Sequence, residues 1–198
     1  MRLTDQKRQS ILDAAIGEFQ DNGFGAARIT KIAARANVST RTLYNHFDSK
    51  EALFEAIIDV VFAQNAAIQI TDFDPELPVR DQLITAINIY IAGTTTEQHL
   101  GLNRIVMAEF LRDTALAKRA FAHVQAHDNP VEHLIAQAMN AGKLRADDPK
   151  FAARKLVSMV KTFFFTPLFL FGESAPLPRS DDAVIAECVD MFLGAYAP

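Results

Sequence analysis

Apolar residues recur every three or four positions along most of this chain, the period of a helix with one buried face. Ile11, Leu12, Ala15, Ile16 and Phe19 form such a stripe and predict a first helix from about Thr4 or Asp5 to Asn22, stopped by Gly23. Two short patterns follow, Ile29–Ala36 and Thr40–Phe47, separated by Asn37-Val38-Ser39. A fourth helix starts after Asp48 or Ser49 and continues to about Ile68, with Leu53, Ile57, Val61 and Phe62 as its apolar positions. Residues 71–78, TDFDPELP, read as a linker rich in proline and acid. Beyond it the period predicts helices over about Val79–Gly93, Glu97–Asp113, Leu116–Ala126 and Pro130–Ala141. Another opens at Asp148-Pro149, a capping carboxylate followed by a first-turn proline, and carries Phe151, Leu156, Val157, Val160, Phe163 and Phe164. The last runs from near Ser180-Asp181 to about Tyr196. Strand-like alternation and hairpin dipeptides are missing, so the expected fold is all-α with about nine helices.

The pair Ile29–Ala36 and Thr40–Phe47 has the layout of a helix-turn-helix, whose second helix enters the DNA major groove. Ser39 can cap that second helix by accepting a backbone N–H. Leu43 and Phe47, four apart, share one inward face. The outward positions Thr40, Arg41, Thr42, Tyr44, Asn45 and His46 are hydrogen-bonding residues, and no acid occurs from Ser39 to Phe47. Such a face suits phosphate and base edges. Arg41 can donate to guanine O6 and N7, threonine methyls can meet the thymine methyl, and Asn45 can pair with adenine or a phosphate.

Charge supports this placement. The net charge is −4, which alone argues against nucleic acid. Residues 1–50, however, carry eight Lys and Arg against five Asp and Glu, a balance of +3, whereas residues 51–198 balance at −7. A basic N-terminal end on an acidic body fits a module that touches phosphate with that end only. Hydrophobic residues make up 49%, enough for a sizeable core, and the single cysteine excludes an internal disulfide framework. No secretion signal or membrane-spanning run is read in the sequence, and a cytoplasmic location is expected.

The run Val38, Ser39, Thr42, Leu43, Tyr44, His46, Phe47, Lys50, Glu51, Leu53 closely resembles the signature of the tetracycline-repressor (TetR) family of transcription regulators. Ile32, Ala33, Ala36 and Gly23-Phe24-Gly25 fit as well. Two positions depart. Asn37 stands where the family often has Gly, and Asn is the next best residue at positive φ. Ala27 and Arg28 stand where it usually has a capping Thr or Ser, so a hydroxyl is lost and a cation gained. Ala108-Glu109, Gly142-Lys143-Leu144-Arg145, and Asp147-Asp148-Pro149 followed by two alanines resemble the AefR-like branch of the same family.

The resemblance implies a homodimeric, ligand-responsive repressor released from a pseudo-palindromic double-stranded DNA operator by a small apolar or aromatic inducer. Its N-terminal DNA-binding domain would be residues 1–48, joined through the fourth helix to a ligand-binding and dimerisation domain, residues 49–198. The expected DNA-binding residues are Arg28, Thr30, Lys31, Ser39, Thr40, Arg41, Thr42, Tyr44, Asn45, His46 and Lys50, the last as a phosphate clamp at a helix N-terminus. Phe62, Tyr90, Asn103, Met107, Phe110, Phe121, Met159 and Phe163 are candidates for the ligand site, with plain core packing as the alternative for each. Phe164, Leu168, Phe171, Val184, Cys188 and Phe192 are candidates for a two-fold interface, because Phe163–Phe171 is more apolar than one small subunit can bury. The rival chemistry is enzymatic or metal-based. No phosphate loop or nucleophile elbow occurs. His123 and His127, four apart, have zinc-chelating spacing, but Asn129-Pro130 breaks the helix and surface imidazoles are the preferred reading. No cofactor, metal or membrane partner is expected.

Overall fold

The computed structural model describes residues 3–125 and 130–198, with the side chains of Leu3 and residues 121–125 outside the description. The described residues form eleven helices and no strand. These are α1 (Leu3–Ala26), α2 (Ile29–Arg35), α3 (Thr40–Tyr44), α4 (Lys50–Ala66), α5 (Val79–Thr94), α6 (Glu97–Phe110), α7 (Thr114–Gln125), α8 (Pro130–Asn140), α9 (Pro149–Phe163), α10 (Phe165–Phe171) and α11 (Asp181–Tyr196). No helix among the described residues is long and apolar enough to cross a membrane. The chain packs as two compact units, Met1–Ala63 with Gly101–Val124, and Gln64–Leu100 with Gln125–Pro198.

The first unit is built on the α1 stripe. Ile11, Ala15 and Phe19 are fully buried against Ile32 of α2, Leu43 of α3 and Leu53, Phe54 and Ile57 of α4. Phe19, Phe24 and Phe54 meet at ring separations of 5.0–6.0 Å. Leu102, Ile105 and Val106 of α6 and Leu116 of α7 complete this core. At Gly23 the backbone leaves helical geometry (φ 71°, ψ 161°), a region open to glycine and strained for other residues. The predicted stop therefore falls at the right residue, although a short helical turn resumes to Ala26.

The second unit packs α5, α8, α9 and α11 around Leu83, Ile87, Val131, Ile135, Leu156, Val160, Ile185 and Val189. Local chemistry sets the helix ends. Gly142, at φ 69°, stops α8, and Lys143 N–H returns to the Ala138 carbonyl at 2.9 Å. Asp148 caps α9 by accepting from the Lys150 and Phe151 amides, with Pro149 in the first turn. Ser180 caps α11 by accepting from the Ala183 amide. Tyr196 closes the unit: its hydroxyl accepts from Lys155 Nζ at 2.7 Å and donates to Asp147 Oδ2 at 3.1 Å.

Two expectations need correction here. The helix that opens at Asp148-Pro149 does not carry Phe164, and a new helix begins within the apolar run Phe163–Phe171. Pro167 has no N–H and its ring would clash with the Phe163 carbonyl four residues back, so α9 ends at Phe163 and α10 starts anew. In that arrangement Pro167 lies in the first turn of α10, where its missing donor costs nothing. Secondly, Val184, Cys188 and Phe192 do not face outward as an interface would. All three are buried in the unit's own core, and the Phe192 ring stacks on Tyr196 at 4.6 Å. Phe164 and Leu168 are half-buried, Phe164 against that same core. Phe171, by contrast, is exposed, as are Leu170 and Met191.

Truncating Phe192 tests its place in the core. Phe192→Ala should cost about 3–5 kcal/mol in urea unfolding. The loss should be the same at every protein concentration. A loss that vanished at high concentration would return Phe192 to an intersubunit contact.

Candidate nucleic-acid interface

The turn between α2 and α3 adopts the backbone its sequence requires. Asn37 sits in the left-handed region at φ 54°. Ala36 N–H bonds to the Ile32 carbonyl and Val38 N–H to the Ala33 carbonyl, each at 2.9 Å, so the end of α2 is satisfied within the turn. Ser10 of α1 donates its hydroxyl to the Ala36 carbonyl at 3.2 Å and fastens the turn to the core helix. Ser39 then caps α3. Its Oγ accepts from the Thr42 amide at 3.0 Å and shares a hydrogen bond with Thr42 Oγ1 at 2.9 Å. At the other end Arg28 occupies the cap of α2 with no side-chain hydrogen bond, the consequence of having no hydroxyl there.

Helix α3 is anchored on its inner side by Leu43 and Phe47, both buried. Its regular part is shorter than predicted, although Phe47 N–H still reaches the Leu43 carbonyl at 3.0 Å. The opposite side is open. Thr40, Arg41, Tyr44 and Asn45 are exposed, and Thr42 and His46 are half-exposed. Arg28, Thr30, Lys31 and Ser39 are exposed on the same stretch of chain. The structure thus keeps ten of the eleven expected DNA-binding residues accessible and places them on consecutive elements of one unit.

Lys50 is the exception. Its ammonium donates to the carbonyls of Phe24 at 2.6 Å, Ala27 at 3.2 Å and Gly25 at 3.3 Å, and lies 4.5 Å above the Phe24 ring. All three of its donors point at the corner between α1 and α2. Without DNA, the lysine expected to clamp a phosphate holds the end of α1, where unpaired carbonyls carry partial negative charge. A cation that the sequence reading missed lies nearby instead. Arg8 of α1 places its guanidinium 4.8 Å over the ring of Phe47 at the end of α3. Thirty-nine residues separate the two, so no local spacing could have revealed the pair.

The expected ligand residues divide between the units. Phe62, Asn103, Met107, Phe110 and Phe121 belong to the first, where Phe62 and Phe110 pack half-buried against the core and Met107 is exposed. The side chain of Phe121 lies outside the described residues. Tyr90, Met159 and Phe163 belong to the second: Tyr90 is buried, Met159 packs half-buried against the core and Phe163 is exposed. His127 and the side chain of His123 also fall outside the described residues. His133 lies 3.1 Å from the side chain of Gln137 and 3.4 Å from Asp72 Oδ1.

Comparison with known proteins places this geometry. Residues 11–57 match the family described as bacterial regulatory proteins of the tetR family, and residues 81–198 match the AefR-like transcriptional repressor C-terminal domain. The chain belongs to the TetR family. A TetR-family regulator of known structure from Pseudomonas syringae is 33% identical, with a TM-score of 0.78 over 98% of this chain and 99% of that one. The flavonoid-responsive regulator FrrA is 26% identical, with a TM-score of 0.76 over 98% of each chain. The transcriptional repressor NicS of Pseudomonas putida is 31% identical over 91 residues, and that match spans 44% of this chain and 43% of NicS. TetR membership agrees with the resemblance read from Val38–Leu53.

Replacing Lys50 tests its structural role. Lys50→Met should lower stability by about 1–3 kcal/mol, because three carbonyls lose a charged donor. Amide exchange should quicken in α1 and α2 and stay unchanged in α11. Unchanged exchange near Phe24 would show that the ammonium does not hold that corner.

Proposed function

We propose that this TetR-family chain is a homodimeric repressor. It is read as a cytoplasmic binding protein rather than an enzyme, released from a pseudo-palindromic operator by a small apolar or aromatic inducer. Residues 1–48 would serve as its DNA-binding domain, and residues 49–198 would carry ligand binding and dimerisation. The observation that carries this reading is α3 itself: a short helix capped by Ser39, fixed from beneath by Leu43 and Phe47, with Thr40, Arg41, Tyr44 and Asn45 exposed and no acid among them. A helix so held presents its first turn to base edges, while Arg28, Lys31 and His46 supply phosphate contacts. The repressor sense is supported by the AefR-like C-terminal match and by NicS, and the aromatic inducer by the flavonoid-responsive FrrA.

A dimer delivers two copies of α3 to half-sites about 34–36 Å apart. The inducer acts by binding better to a dimer whose recognition helices miss that spacing, a population shift driven by differential affinity. Exposed Leu170, Phe171 and Met191 supply apolar surface for the two-fold contact, in place of the buried Val184, Cys188 and Phe192.

DNA binding should be specific and steeply salt-dependent. Lys31→Ala should weaken binding to every sequence and reduce the salt slope by about 1. Arg41→Ala should cost about 1–3 kcal/mol on the operator and relax base preference. Operator affinity unchanged in both variants would remove α3 from the interface. For assembly, the double variant Leu170→Glu with Phe171→Glu should sediment as a folded monomer, since paired like charges would face each other across a two-fold axis. A wild-type chain that sediments as a monomer at micromolar concentration would overturn the dimer.

A further inference from the structure

Within the second unit, two basic side chains meet an aromatic corner. His99 lies in the first turn of α6 and is 4% exposed. Lys161 lies in the last turn of α9. On α10, Phe165 and Phe169 stack nearly parallel, with centroids 5.4 Å apart and an interplanar angle of 13°. The Lys161 ammonium sits 4.5 Å from the Phe165 ring centroid, and the His99 ring meets Phe165 edge-on at 6.5 Å. Among the described residues no carboxylate pairs with Lys161.

Lys161 is half-buried; an ammonium partly withdrawn from water without a counter-ion is unfavourable, and an aromatic face offsets part of that cost. Burial pushes Lys161 below the usual lysine range. His99 is lowered too, first by burial and then by the charge of Lys161. One unpaired ammonium beside an imidazole that resists protonation supplies about a single positive charge. That matches a monoanion and falls short of a phosphate ester, which needs clustered donors.

We propose that this corner binds an aromatic monocarboxylate, with Lys161 pairing the carboxylate and the stacked Phe165–Phe169 pair packing against the edge or outer face of the ring. The inference rests on the reading of the chain as a regulator of aromatic-ligand type and narrows that ligand to an acid. The carboxylate would be the counter-ion that Lys161 lacks, held by a charge-assisted hydrogen bond beside the aromatic pair.

The test uses benzoate, cinnamate and 2-naphthoate beside their neutral primary amides, titrated calorimetrically into the full-length protein without DNA. At least one acid should bind about tenfold or more tightly than its amide. Lys161→Met should abolish that preference, and Lys161→Arg should retain it. Acids that bind no better than their amides, or a preference that survives Lys161→Met, would each overturn the proposal. Operator release by a neutral aromatic compound, with no preference for acids, would defeat this inference while leaving the regulatory reading intact. Absence of operator binding by the free protein would defeat that reading instead.

Discussion

The ammonium of Lys50 donates to the carbonyls of Phe24, Gly25 and Ala27, and so ties the start of α4 to the corner between α1 and α2. The carbonyls of Phe24 and Gly25 lie in the last turn of α1, just after the chain kinks at Gly23, and that of Ala27 follows its end, where helical partners run out. By gathering them, the first residue of α4 fixes the corner from which α2 departs. The α2–α3 turn, tied to α1 by Ser10, inherits that position. Helix α3 is only five residues long and makes little structure by itself. Its orientation is borrowed from Leu43 and Phe47 below and from the pinned corner behind. A mobile lysine on a helix surface could not do this; three fixed acceptors convert a flexible side chain into a rigid strut.

The second unit follows a different logic. Its centre is aliphatic, from α5, α8, α9 and α11, and its polar connections lie at the rim. Arg80 of α5 grips Asp190 of α11 through two hydrogen bonds, and Tyr196 links Lys155 to Asp147. The Arg80–Asp190 pair is open to solvent and selects a register more than it adds stability, whereas Tyr196 itself is buried. Helix α10 stands apart from this scheme. Pro167 separates it from α9, and its aromatic side chains are shared between Lys161 and solvent instead of the core.

What the sequence disclosed is what short-range chemistry decides. Ser39, Asp148 and Ser180 act as caps, Gly142 as a stop and Asn37 as a left-handed turn, because each acts on atoms within a few residues of itself. The inward pair Leu43 and Phe47 was equally legible from spacing. Long-range partners were not. Lys50 bonds to residues more than twenty positions earlier, and the same sequence pattern is compatible with a cation facing phosphate. Helix α11 is apolar on more than one face, so periodicity could not decide that Val184, Cys188 and Phe192 turn inward while Met191 turns outward. Lys161 was unreadable for a related reason: a lysine near a helix end is ordinarily solvated, and its aromatic setting arises only from the break at Phe164 where α10 begins. That residues 101–124 join the N-terminal core likewise follows from tertiary packing and from no local motif.

Cys188 carries the chain's single thiol, buried at 4% exposure beneath α11, and burial raises its pKa. Thiolate is the reactive form, so this sulfur is both shielded and chemically quiet. Toward maleimides the folded wild-type protein therefore behaves as a cysteine-free scaffold. A cysteine introduced at an exposed position such as Asn45 would take a fluorophore or spin label alone, without removal of the native residue. The same burial makes labelling at Cys188 a report on unfolding, since the thiol becomes available only when the core around Phe192 opens.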